Sequence, residues 1–383
     1  GSMLESATLR RVCFLMLTWI CALPLPGTAV DYFVTRYDDP APSGCNPGDC
    51  SLREAVIAAN DSPAVADRIL LSAGHYSLEI VGVDEDDAVT GDLDLGGNLE
   101  ILGAGATMTR IWAGGIDRIF DLRSSIASGP LRLAGLELTA GQIVSGGGAA
   151  IALGSSNELT IEACTIHGNF APNSGYGTIV GFVSTGALTV RGSTIYDNSA
   201  GGIQVSQYEL TVENSTLTGN AGPEIFGNGA GTQILLSQST IRDSESGAEI
   251  VVDDAGALLE IANSVVIGSC ALTDGGSILT LSGNVESPGA TCNLGVFDEA
   301  GVASHGLGLL ADNGGPTPTL FPSLSSPAVG GGQSANCTPF DQRGVPRTPE
   351  SCESGAVERA LVRPLTPLFH DGFQQGDVEA WGF

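Results

Sequence analysis

An eleven-residue pattern rewrites itself along the middle of this chain. LTIEACTIHGN (159–169) returns as LTVRGSTIYDN (188–198) and LTVENSTLTGN (210–220). It decays into ILLSQSTIRDS (234–244) and LEIANSVVIGS (259–269), with LTLSGN (279–284) as a last echo. Successive starts lie 29, 22, 24, 25 and 20 residues apart. A period in the twenties with variable insertions marks a solenoid. Apolar residues alternate within each unit, which is strand periodicity. Gly and Asn interrupt every apolar run, so no helix fits. The pattern predicts an all-β chain folded as a single right-handed parallel β-helix of about nine coils. A strand spacing of ~4.8 Å makes that rod on the order of 40–45 Å long.

Three apolar columns follow from stacking the units. Leu159, Leu188, Leu210, Ile234 and Leu259 form one, and Ile161, Val190, Val212, Leu236 and Ile261 the next. Ile166, Ile195, Leu217, Ile241 and Val266 form the third. Cys164, Ser193, Ser215, Ser239 and Ser264 make a small polar column suited to a tight inward corner. Asn169, Asn198 and Asn220 make another, followed by Ser244 and Ser269. Asn tolerates the left-handed conformation that a corner needs, and stacked Asn side chains can hydrogen-bond along the axis. LEILGAG (99–105) and LRLAGLELTAG (131–141) are in phase with the later coils.

All 15 basic residues are Arg, so Schiff-base and P-loop lysine chemistry are excluded. A net charge of −28 disfavours nucleic acid and anionic membranes as partners. Arg10 and Arg11 precede an apolar run over 12–25 and small residues at 27–29, which reads as a secretory signal over 1–29. No other stretch approaches ~20 apolar residues, so the mature chain is expected to lack a transmembrane span. Seven cysteines remain beyond Cys13 and Cys21. Export favours disulfides, and sequence neighbours suggest Cys45–Cys50, Cys270–Cys292 and Cys337–Cys352. Cys164 is left as a buried thiol. A CxxC zinc site is excluded because no CxxC occurs.

Ser51-Leu52-Arg53-Glu54 opens a helix with a capping box. Leu52, Ala55, Val56 and Ala59 give it an apolar stripe, and Asn60-Asp61-Ser62-Pro63 stops it. It is placed to cover the open end of the first coil. Together, CSLREAVIAAN (50–60) and TGDLDLGGNLEILGAG (90–105) resemble the motifs of the CSLREA-domain proteins, secreted bacterial β-helix proteins. LADNGGPTPT (310–319), FDQRGVPR (340–347) and CESGAVE (352–358) look like a choice-of-anchor module, although Gly330-Gly331-Gly332 stands where that module usually carries Asp. FHDGFQQGDVEAWGF (369–383) resembles a C-terminal signature of exported proteins. The resemblance implies a cap over 30–66, a β-helix over 67–300, a closing module over 301–360 and a tail over 361–383. It implies export to the medium or cell surface and no shared reaction.

Candidate chemistry is sparse. His167 and Tyr196 share one outward column, continued by Thr218 and Arg242, a stripe suited to stacking on sugar rings. Asp84, Asp86 and Asp87, with Asp92 and Asp94, offer hard oxygen ligands for Ca2+. A calcium-dependent lyase also needs a base, and Arg110, Arg118, Arg123 and Arg132 lie nearby. Asp253-Asp254 and Ser304-His305-Gly306 imitate fragments of a pectin-hydrolase site. The expected function is a monomeric scaffold, adhesin-like or binding an extracellular glycan or cell-surface component. The alternatives are a lyase or hydrolase of acidic polysaccharide and a structural spacer.

Overall fold

The computed structural model describes residues 28–359, apart from 64, 84, 123–127, 155–156, 172–176, 183–184 and 243–246. Residues 1–27 of the expected signal, the tail, Asp84, Arg123, Ser244 and His370 therefore lie outside the described residues. The chain forms a right-handed parallel β-helix. Three parallel sheets of ten, eight and nine strands run its length, and each complete coil contributes one strand to each. One helix, Leu52–Asn60, packs against the first strands.

The sequence columns become register. Leu131, Leu159, Leu188, Leu210, Ile234 and Leu259 pair in succession along the ten-stranded sheet. Ile166, Ile195, Leu217, Ile241 and Val266 do the same in the nine-stranded sheet. All are buried in one continuous core. Burial of branched aliphatics in vertical stacks is what holds the coils together, at ~25 cal/mol per Å2 of apolar surface.

The last echo is one residue out of step. Ile278, not Leu279, pairs with Leu259, and Leu279 faces outward. The cause is an extra residue in the corner. The preceding corner has one left-handed residue, Asn263, whereas this one has two, Ser282 and Gly283.

The polar columns are hydrogen-bond ladders. The backbone N–H of Cys164, Ser193, Ser215 and Ser239 each donates to the hydroxyl one coil further on, at 3.1–3.2 Å. Each of these hydroxyls from Ser193 to Ser264 also donates to the carbonyl two residues before it. Asn169 N–H and side-chain N–H donate to Asn198 Oδ1, and Asn198 repeats this toward Asn220. The left-handed residues are not these Asn, contrary to expectation. They are Gly168, Asp197 and Gly219, one position earlier. The Asn side chains satisfy the corner's buried backbone groups instead.

Before the helix, Asp31–Val34 adds an unforeseen strand parallel to Ala66–Leu71. The capping box forms, with Ser51 Oγ accepting from Glu54 N–H and Glu54 Oε2 accepting from Ser51 N–H at 2.9 Å. Arg53 is fully buried and spends all five donors. Two meet Asp39 at 2.8 and 3.0 Å, and three meet the carbonyls of Ala88, Gly91 and Asp92. The helix is thereby stapled to the acidic loop.

The three suggested disulfides form, with Cα–Cα separations of 4.3, 4.8 and 6.3 Å. Cys164 is a buried thiol, its pKa pushed up to about 12 by burial. Residues 301–359 add an antiparallel hairpin, Leu307–Ala311 with Thr319–Pro322, and irregular chain. This segment docks on a threonine column of the nine-stranded sheet. Gln342 Nε2 donates to Ser193 O and Thr194 Oγ1, its Oε1 accepts from Thr216, and Ala356 N–H donates to Thr240.

Candidate binding face

In the nine-stranded sheet, three-residue strands alternate out-in-out, so two columns face away from the core. One runs Ser77, Trp112, Thr139, His167, Tyr196, Thr218, Arg242. The other runs His75, Arg110, Glu137, Thr165, Thr194, Thr216, Thr240 along the same pairings. The docked C-terminal segment meets the second column from Thr194 onward. On the coils before it the first column carries the rings of Trp112 and His167, and the second carries His75, Arg110 and Glu137.

His167 and Tyr196 are brought together as expected. Their rings stack nearly parallel, 11° apart, with centroids separated by 4.8 Å. That distance is the coil repeat itself. Glu137 joins the stack from the coil before, its Oε1 2.8 Å from His167 Nε2 and its Oε2 accepting from Arg110 Nε at 2.8 Å. Burial raises the Glu137 pKa, but the hydrogen bonds from His167 and Arg110 outweigh it and hold the carboxylate below its ordinary range. Trp112 continues the face, 37% exposed, and its ring lies 5.9 Å from that of His75. The result is a strip of rings with a fixed ionic cluster in its middle.

Arg242 does not join it. It shares the column two coils beyond Tyr196, with buried Thr218 between, and donates to Gly308 O on the hairpin at 3.1 Å. The register of His167 and Tyr196 was readable because both sit in the repeat. Trp112, Arg110 and Glu137 come from coils whose insertions hide the alignment. Only the phase of GLEL (135–138) with the later units pointed to Glu137.

The acidic candidates are dispersed. Among the described residues no three acidic, His or Cys side chains form a group able to hold a metal ion. Asp86 and Asp87 are exposed, while Asp92 and Asp94 are buried. Arg118 bridges Asp92 at 2.9 Å and Asp121 at 2.7 Å. Burial pushes Asp92 up to about 8 against the pull of Arg118. Asp94 Oδ2 accepts from Ala88 N–H, and burial raises this carboxyl to about 7. Of the other candidate arginines, Arg110 is engaged by Glu137 and Arg132 by Glu162, both at 2.8 Å, and Arg123 lies outside the described residues.

The hydrolase-like fragments stay apart. Asp253 accepts from Thr273, Asp254 accepts from Gly229 N–H, and His305 Nδ1 accepts from Leu307 N–H at 2.9 Å. No hydrogen bond or ion pair links His305 to either Asp.

Residues 134–287 match the family described as right handed beta helix region. No curated protein matches the chain. Among solved structures, the crystal structure of pectate lyase Pel9A is similar at 14% identity and a TM-score of 0.42, over 87% of this chain and 97% of that chain. Among the described residues no helix is long and apolar enough to cross a membrane.

Proposed function

We propose that this chain is an exported β-helix scaffold that binds an extracellular glycan along the ring strip of its nine-stranded sheet. The observation that carries the reading is the His167–Tyr196 stack set beside a Glu137 carboxylate clamped by Arg110 and His167. Ring faces provide apolar area at low entropic cost, and the fixed ions provide directional partners for hydroxyls. Trp112 extends the strip so that a linear ligand lies along the solenoid axis. Three disulfides support an oxidising compartment. In this reading 1–29 is the signal, 30–66 the cap, and 301–360 a closing module of choice-of-anchor type. In this reading the acidic loop is structural rather than a calcium site: Asp86 and Asp87 are solvent-exposed, and buried Asp92 and Asp94 brace it through Arg118 and the Ala88 N–H.

The test is a glycan array run beside reducing-end and unsaturated-product assays on acidic polysaccharides. Binding without turnover, lost in Trp112→Ala and Tyr196→Ala, supports the proposal. Turnover moves the protein to the lyase or hydrolase class, and silence in both assays leaves a structural spacer.

A further inference from the structure

A groove of about 380 Å3 runs along the seam between the ten-stranded sheet and the docked C-terminal segment. That is the size range of small-molecule sites. One wall comes from three consecutive coils, where Glu162, Arg191 and Glu213 stand side by side in register. The other comes from the segment, which contributes Pro316, Pro339 and Phe340.

The groove is held rigidly and leaves its reactive groups free. Asn214 at its base donates to Thr338 Oγ1 and accepts from Arg347 at 2.9 Å, tying coil to segment. Glu162 is taken by Arg132 on the neighbouring coil. Among the described residues no ion pair or side-chain hydrogen bond engages the Arg191 guanidinium or the Glu213 carboxylate. The Phe340 ring is 54% exposed although its backbone is fixed by a bridge to Pro346.

We infer that this seam is a binding site for a neutral sugar ring. A guanidinium beside a free carboxylate offers paired donors and acceptors to adjacent hydroxyls. An aromatic face flanked by two prolines suits the C–H face of a pyranose. Charge selects against an acidic ligand. Glu162 and Arg132 cancel, Arg191 and Glu213 cancel, and the remaining field is that of a chain with net charge −28. An added carboxylate meets Glu162 and Glu213 on either side of Arg191. The site stands on its own residues and does not depend on the ring strip.

The experiment titrates the full mature chain with the neutral methyl glycosides of glucose, galactose, mannose and N-acetylglucosamine, and with galacturonate, by saturation-transfer NMR and calorimetry. At least one neutral glycoside is expected to bind, and galacturonate more weakly. Phe340→Ala and Arg191→Gln should each weaken that binding by about tenfold or more, roughly one missing aromatic or charged contact. Trp112→Ala should leave it unchanged. Arg191 is exposed on a strand, so its variant tests the site even if Phe340→Ala loosens the segment. Absence of binding by every neutral glycoside overturns the inference, as does preference for galacturonate or indifference to Arg191→Gln. Loss of binding in Trp112→Ala alone assigns the sugar to the ring strip and also overturns it.

Discussion

Asn198 is the centre of the axial ladder and the sharpest test of what holds the corners. Its Oδ1 accepts two hydrogen bonds from Asn169, at 3.0 and 2.9 Å. Its Nδ2 donates to Ile166 O, Tyr196 O and Asn220 Oδ1. Asn198→Ala removes all five. Asn220 Oδ1 keeps the Asn198 backbone donor, and Asn169 Nδ2 keeps two carbonyls. The Asn169 backbone N–H keeps nothing in a residue 1% exposed. Orphaning one buried donor costs ~1–3 kcal/mol, and each remaining net bond adds about 1. The expected loss is therefore about 5–7 kcal/mol. Asn198→Asp retains the acceptor but places a carboxylate against three carbonyl oxygens, so it should cost at least as much. Urea denaturation measures the total. Hydrogen exchange should place the weakened amides on the coils of residues 166–200, since solenoid coupling is between neighbours. A loss below about 0.5 kcal/mol, with unchanged exchange at Asn169, would refute the claim that the ladder satisfies the corners.

Other consequences are equally direct. Arg53→Met leaves Asp39 buried without its cation and three carbonyls without donors, so about 3–5 kcal/mol should be lost and the 86–92 loop should become protease-sensitive; unchanged proteolysis contradicts the staple. Mass spectrometry of the folded chain should find the three bridges and one thiol, Cys164, reactive only after denaturation; a bridged Cys164 overturns its place in the inward column. The pH dependence has a defined sign. Asp94 is raised to about 7 by burial, so between about pH 4 and 7 the folded state holds a proton that the unfolded state has released. Its contribution to stability is thus lost as pH rises through that window. Asp94→Asn should gain on the wild type from pH 4 to pH 8 in thermal melts, and a gap that does not change with pH counts against the assignment.

The coil register was legible because the apolar spacing inside each unit is fixed even where the insertions vary. A one-residue slip would turn a whole strand inside out, so the Leu and Ile columns had a single solution. Where a corner gained a residue, at Ser282-Gly283, the same logic failed, and the echo read from Leu279 is one residue out of step with the Leu259 coil. The Asn column was recognised, but its role was assigned to backbone conformation rather than to side-chain bonding. Those two roles differ by one position, which only coordinates separate. Arg53 was invisible as a staple because its partners lie 14 to 39 residues away in irregular chain. Half of the ring strip was legible. His167 and Tyr196 sit in the clean repeat, while Trp112 and Glu137 required the alignment of coils with unequal insertions.

Why the ring strip runs no further than the coil of Thr194 and Tyr196 follows from the docking of the C-terminal segment. The outward column of the nine-stranded sheet changes character along the rod. From Thr165 to Thr240 it is an unbroken run of threonines, short side chains that let another backbone approach. Gln342 uses that approach, reaching Thr194 and Thr216 from a buried position. On the earlier coils the same column carries His75, Arg110 and Glu137, whose bulk and charge leave no seat for an irregular chain. Their partners are one another and the rings beside them. Covered and open portions of one sheet are thus set by a single column of residues. Replacing threonines there by larger side chains should displace the segment without disturbing the inward Ile195 and Leu217 beneath it.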